Sequence, residues 1–168
     1  RPRNLPLLIE QLHSPDLPAF RVGLWVLQRE LPGPDVTRTV AAELNKLRPE
    51  RSVLLLEALG GRGDASAVPA MSAALASKDK TIRLAVIRSL PRIGGDSVIP
   101  PLIEALTDPD PAPAGAARAS LLNLRSPAVN QALIARLDHP WTTHRVSAME
   151  LLGQRQVQPA LPALMKAI

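Results

Sequence analysis

Leu27, Leu59, Leu90, Leu121 and Leu152 recur at gaps of 32, 31, 31 and 31 residues. Leu12, Leu44, Leu75, Leu106, Leu137 and Ile168 form a second series at the same spacing, and each member of the first series falls 15 residues after one of the second. Two series locked in phase mark a tandem repeat with a two-part unit, and no other feature of the chain narrows the fold so far. Each part reads as a helix. The second series closes apolar i, i+4 pairs: Leu8/Leu12, Val40/Leu44, Met71/Leu75, Leu102/Leu106, Leu133/Leu137 and Leu164/Ile168. The first series closes others, among them Leu55/Leu59, Val86/Leu90, Ala117/Leu121 and Ala148/Leu152. A spacing of four places both side chains on one helical face. Helices of about a dozen residues with a single apolar stripe are unstable alone, so neighbouring units must stack to bury it.

Proline agrees with this phase, since it is tolerated in a first turn where its missing N–H has no partner to lose. Pro69, Pro100, Pro101 and Pro159 are placed to open first helices, and Pro18, Pro49, Pro111 and Pro140 to open second ones. Pro91 follows Leu90 inside a second helix and is expected to end or kink it, with Gly94 and Gly95 as the exit. Alternating helices without strand signals give an all-α solenoid of about eleven helices. It reads as a single repeat domain over residues 1–168, divided into units 4–34, 35–65, 66–96, 97–127 and 128–156 and a half unit 157–168. Both ends read as cuts in a longer chain, because the segment that closes on Ile168 shows no polar cap.

A chain of 168 residues that is 46% hydrophobic can bury a sizeable core, and with only 2% aromatic residues Leu, Ala, Val and Ile must fill it. There is no cysteine. Disulfides, thiolate catalysis and Cys-ligated zinc are excluded, and the compartment is left open with the cytoplasm slightly favoured. No apolar run approaches the roughly 18 residues of a membrane span, so no membrane insertion is expected of this segment. No signal peptide is visible.

The stretch AVPAMSAAL from Ala67 to Leu75 is followed by Asp79, Ile82, Arg83, Leu90 and Ile93 to Asp96; the next unit has VIPPLIEAL from Val98 to Leu106 and DPDP from Asp108 to Pro111. Arg145, Val146, Leu152 and Gly153 continue the pattern. It resembles the short HEAT-like repeats of bacterial proteins, the type named after phycobilisome lyases. The resemblance is strongest over residues 64–110 and weaker in the first two units, where Leu31 to Pro34 adds a residue and Ser52 replaces the second-helix arginine. It implies a right-handed α-α superhelical solenoid of about five and a half helix pairs whose second helices line a concave side. It also implies an internal polar ladder of Asp79, Asp110, Arg83 and Arg145, interrupted at Ser52 and Ala114. It guides the fold more than the function, since such repeats serve as scaffolds, lyases, hydroxylases and DNA-repair enzymes.

No catalytic set is visible, and the chain is read as a non-enzyme that needs no cofactor and no metal. The histidines are His13, placed after a first helix, and His139 and His144, which flank Trp141 beside Asp138. Two His and an Asp in seven residues resemble a ligand set on paper. Pro140 separates them, however, and a solvated turn is expected. The hydroxylase relatives hold iron with His-Glu pairs, and no His-Glu dipeptide occurs. Gly60 to Gly63 joins two helices instead of following a strand, so it is not a phosphate loop. Arg62-Gly63-Asp64 spells an integrin-ligand tripeptide, but Asp64 stands where a helix N-cap belongs.

The net charge is +5, from 20 basic and 15 acidic residues. In the second helices the excess comes from Lys78, Lys80, Arg83, Arg88 and Arg92. The row two residues before each first-series leucine reads Trp25, Glu57, Arg88, Ala119 and Glu150. Its signs alternate, so a phosphate backbone would meet two carboxylates. Phe20, Trp25 and Trp141 are too far apart to stack successive bases. The favoured expectation is a scaffold that binds a protein or peptide along the concave face through Trp25, Arg29, Arg88, Arg92 and Glu150. Nucleic-acid binding through a basic concave patch, as in HEAT-like DNA glycosylases, is the alternative. A regulatory or spacer module of a larger enzyme is the third.

Overall fold

The computed structural model describes residues 4–157, so the half unit ending on Ile168, with Pro159 and Leu164, lies outside the described residues. Within them the chain is all-α, with ten α-helices and no strand. None of these helices is long and apolar enough to cross a membrane. The chain divides into two compact units, Arg1–Gly95 and Asp96–Ile168.

The first unit holds α1 (Leu5–His13), α2 (Leu17–Arg29), α3 (Pro34–Ala41), α4 (Pro49–Arg62), α5 (Val68–Ala73) and α6 (Lys80–Ile93). Here α1 packs on α2, α2 on α4, and α4 along α6. The second unit holds α7 (Ile99–Glu104), α8 (Pro111–Asn123), α9 (Pro127–Ala135) and α10 (Thr142–Gln154), with α7 against α8 and α9, and α9 against α10. First helices are short. Four of them close in 3-10 turns, Leu44–Lys46, Ala74–Ala76, Ala105–Thr107 and Arg136–Asp138, which carry Leu44, Leu75, Leu106 and Leu137. A tightened last turn takes up carbonyls that the helix end leaves without partners. Leu44, Leu106 and Leu137 are buried in these turns, whereas Leu75 is only half-buried.

The core is the first leucine series. Leu27, Leu59, Leu90 and Leu121 are 0% exposed and Leu152 is 1%. Their partners Leu55, Val86, Ala117 and Ala148 are equally buried. Burying such side chains is worth about 1.5–3 kcal/mol each. N-caps fix where the helices begin: Asp16, Asp79, Asp110 and Ser126 accept from backbone N–H groups in the first turns of α2, α6, α8 and α9. Each cap is worth about 1 kcal/mol. Asp64 caps the 3-10 turn Ala65–Ala67 in the same way, at 3.0 Å from Ser66 N.

Two proline expectations need correction. Pro140 does not open α10, which starts at Thr142 with Trp141 as its N-cap residue. Pro91 does not end α6, which continues to Ile93. Only one backbone bond is lost to it, close to the end of the helix. The chain then leaves through Gly94 (φ 77°) and Gly95 (φ 72°), in a region that favours glycine.

Candidate partner-binding face

In the first unit the three second helices present matching outer positions. On α2 these are Arg21, Trp25 and Arg29; on α4, Val53, Glu57 and Gly61; on α6, Leu84, Arg88 and Arg92. Each triplet runs i, i+4, i+8, and each helix repeats the one before it at 32 or 31 residues. The triplets face outward because other positions face the core. Phe20, Gly23 and Leu27 bury on α2, Leu55, Leu56 and Leu59 on α4, and Val86, Ile87 and Leu90 on α6. Trp25 is 51% exposed and its neighbour Val22 is 50% exposed. Val53 and Leu84 are half-buried, and the arginines and Glu57 are exposed.

Gly61 leaves a gap in this lattice. A Cβ placed there would stand 2.9 Å from Gln28 Nε2 and 3.2 Å from Arg92 Nη2, so these two side-chain ends converge over bare backbone. Gln28 Nε2 donates to the Ala58 carbonyl at 3.3 Å. Arg29, Arg88 and Arg92 have neither an ion pair nor a hydrogen bond among the described residues. Their guanidinium groups therefore face solvent with full donor capacity. Of the five sequence-predicted contacts, the fold thus places Trp25, Arg29, Arg88 and Arg92 on one lattice. Glu150 lies on α10 in the second unit, where Arg118 of α8 already pairs with it at 2.7 Å.

Other arginines are engaged inside the protein, and the sequence signals them poorly. Arg62 is nearly buried. It donates to the carbonyls of Leu27, Leu31 (2.6 Å) and Gly33 (3.2 Å) and through Nε to Thr37 Oγ1 (2.6 Å). The Thr37 hydroxyl donates in turn to Asp64 at 2.6 Å. Burial opposes the Asp64 charge, but hydrogen bonds from Ser66 and Thr37 hold its carboxyl below the usual range. The Arg-Gly-Asp tripeptide is thus an internal tie and not a displayed loop. Arg51 serves the preceding unit: it reaches the carbonyls of Ser14 and Pro15, the register equivalents of Ser77 and Lys78, and lies 4.8 Å from the ring centroid of Phe20, the register equivalent of Arg83. Ser52 donates to the Leu44 carbonyl at 2.9 Å. Arg83 and Arg145 each hold carbonyls of their own turn, Ser77 and Lys78 for one, His139 and Pro140 for the other.

The histidines depart from expectation. His13 is the last residue of α1 instead of following it, and its Nε2 lies 2.7 Å from Glu43 Oε2. Burial would raise the Glu43 pKa, but hydrogen bonds from His13 and Lys46 bring it below the ordinary value. The turn around Trp141 is solvated, with Trp141 itself 65% exposed, but its two histidines are drawn together. His144 is 7% exposed and stacks on His139, with ring centroids 4.1 Å apart and planes within 6°. Trp141 meets both edge-on at 5.5 and 5.1 Å. Burial, then the Arg136 and His139 charges, lowers the His144 pKa. The turn at Pro140 and the start of α10 fold residues five apart into one stack. Two histidines around a tryptophan at a helix start were the available signal. Among the described residues no three His, Asp or Glu side chains are grouped to hold a metal ion.

No curated protein matches the chain. The family model of HEAT repeats matches residues 41–122, from the end of α3 to within α8. That match falls on the helix pairs and the 31-residue register described above, and residues 41–122 are HEAT-like repeats.

Proposed function

We propose that the chain is a non-catalytic scaffold that binds a protein or peptide across the second-helix face of α2, α4 and α6. HEAT repeats are commonly protein-interaction scaffolds and typically non-catalytic. The observation that carries the proposal is the half-exposed Trp25 amid unpartnered arginines, on helices whose cores are already closed. Tryptophan and arginine dominate binding hot spots because each offers a large contact area with directional polar groups. Glu150, already paired with Arg118, is a separate polar position on the second unit.

Photocrosslinking tests this reading. A benzophenone side chain at Trp25, Glu57 or Arg88 is expected to capture the same partner protein. The same probe at Thr39, exposed on α3, is expected to capture none. Equal capture from Thr39, or capture unaffected by Trp25→Ala in a second copy of the protein, counts against it.

The same free guanidinium groups favour nucleic acid as a second reading. Binding to duplex DNA that weakens steeply with salt and disappears on Arg88→Glu with Arg92→Glu would support it. Glu57 at the centre of the lattice weighs against it.

A further inference from the structure

We infer that the segment received by this face is acidic and extended, with an apolar residue beside its carboxylates. The inference rests on the scaffold reading and names the chemistry of its partner.

Charge is the first argument. The nine lattice positions carry four arginines, Arg21, Arg29, Arg88 and Arg92, and a single carboxylate, Glu57. None of the four arginines is paired among the described residues. Arg38, also exposed, pairs with Asp35, and Arg118 pairs with Glu150. Of the six arginines without a side-chain partner among the described residues, four lie on α2 and α6, the others being Arg48 and Arg125. Arg29 and Arg92 lie in the last turns of their helices, where a cation also offsets the helix dipole. That role is met with the guanidinium in water and leaves its donors free for a carboxylate.

Shape is the second argument. The row Arg29, Gly61, Arg92 runs from helix to helix, and over Gly61 the ends of the Gln28 and Arg92 side chains converge. Helices pack about 8–10 Å apart, so three of them span roughly 20 Å, the reach of about six extended residues. A carboxylate docking on these converging ends is met by the Arg92 guanidinium and the Gln28 amide, with Arg29 at the other end of the row. Arg88, one turn along α6 from Arg92, takes a second carboxylate.

Mixed chemistry is the third argument and separates a peptide from a nucleic acid. Val53 and Leu84 are half-buried along the opposite edge of the lattice, and Trp25 exposes half its surface between Arg21 and Arg29. An apolar side chain is covered there, whereas a sugar-phosphate backbone gains nothing. Glu57 repels successive phosphates but accepts from the amides of an extended peptide.

The test is panning of a randomised dodecapeptide phage library on the whole chain, with a labelled duplex of about 20 base pairs as a separate arm. The expected result is enrichment of peptides with two or more Asp or Glu next to a Leu, Ile or Phe. Binding of the winning peptide should fall at least about tenfold in Arg29→Glu with Arg92→Glu and in Gly61→Glu, and should also weaken in Trp25→Ala. All of these residues are exposed, and an unchanged helical circular-dichroism spectrum and Tm show that the fold is retained. Neutral or basic winners that still depend on Trp25 overturn the acidic inference and leave the scaffold reading standing. No peptide dependent on Trp25 overturns both. Capture of the duplex, lost in the arginine variants, with no acidic peptide enriched, replaces both with the nucleic-acid reading.

Discussion

Arg62 and Arg155 stand 93 residues apart, three repeats of 31, and make the same contacts. Arg155 donates to the carbonyls of Leu121 (2.5 Å) and Leu124 (3.1 Å) and to Asn130 Oδ1 (2.7 Å), as Arg62 does to Leu27, Leu31 and Thr37. Each arginine closes the C-terminal end of the preceding second helix, whose last carbonyls have no intrahelical donor. The equivalent positions in between are Ile93 and Leu124, so the contact is invisible to a search for a residue conserved along the repeat. Arg62→Met keeps the aliphatic stem but strands three carbonyls and the Asp64 charge. It should destabilise by about 2–4 kcal/mol in urea unfolding, while Arg38→Met, on an exposed pair, should change stability by less than about 0.5 kcal/mol. Equal effects would show that Arg62 is not an essential tie. His144 gives a residue-scale prediction in pH. Its folded pKa lies below the ordinary value of 6.5, so the folded state favours the neutral ring. The unfolded chain takes up the proton first as pH falls. The stability of α10 and its neighbours is therefore complete above about pH 6.5 and declines as pH drops through the lower folded value. Urea midpoints between about pH 7.5 and 5 should fall more steeply in the wild type than in His144→Gln. Identical slopes would remove His144 from the account.

Two adjacent glycines on α4 show how an element's packing differs from its surface. A Cβ on Gly60 would sit 2.8 Å from the Ser89 carbonyl oxygen and 2.9 Å from Ser89 Cβ, against the body of α6. A Cβ on Gly61 would meet only the ends of the Gln28 and Arg92 side chains. Gly60→Ala must force α4 and α6 apart and should cost about 1–3 kcal/mol. Gly61→Ala should be neutral or should stabilise by up to about 1 kcal/mol, because alanine is the better helix former. Thermal unfolding of the two variants checks this, and a Gly61→Ala loss as large as that of Gly60→Ala would contradict the drawn register. The elements themselves were legible in the leucine beats, because burial on one face imposes the helical period on apolar residues. The outward positions of Trp25, Arg29, Arg88 and Arg92 followed from the same phase. The 3-10 ends of the first helices were not legible, since Leu75 fits an i, i+4 pair whether the last turn is wide or tight. Nor were the reach of Arg51 and Arg62 or the His139–His144 stack. Long polar side chains act across 30 or more residues and through turn geometry, and no periodicity records either.

At the scale of the molecule, repeats that bury their leucines only against neighbours should lose stability locally before they lose it everywhere. Leu90 belongs to the unit Arg1–Gly95 and Leu121 to the unit Asp96–Ile168, and both are fully buried. Leu→Ala at either site removes the same atoms and should cost about 2–5 kcal/mol, the exact value depending on how far each site can collapse. The difference between them lies in where the loss appears. Hydrogen exchange read by mass spectrometry should show Leu90→Ala weakening protection of α4 and α6 most, with α9 and α10 less affected. Leu121→Ala should show the reverse. Uniform loss across all helices in both variants would mean that the array opens as one cooperative block, and the division into two units would then have no energetic meaning. A localised loss carries a functional corollary. The lattice of Trp25, Arg29, Arg88 and Arg92 lies wholly within the first unit, so Leu90→Ala should weaken peptide capture by that face under mild denaturant while Leu121→Ala leaves it intact.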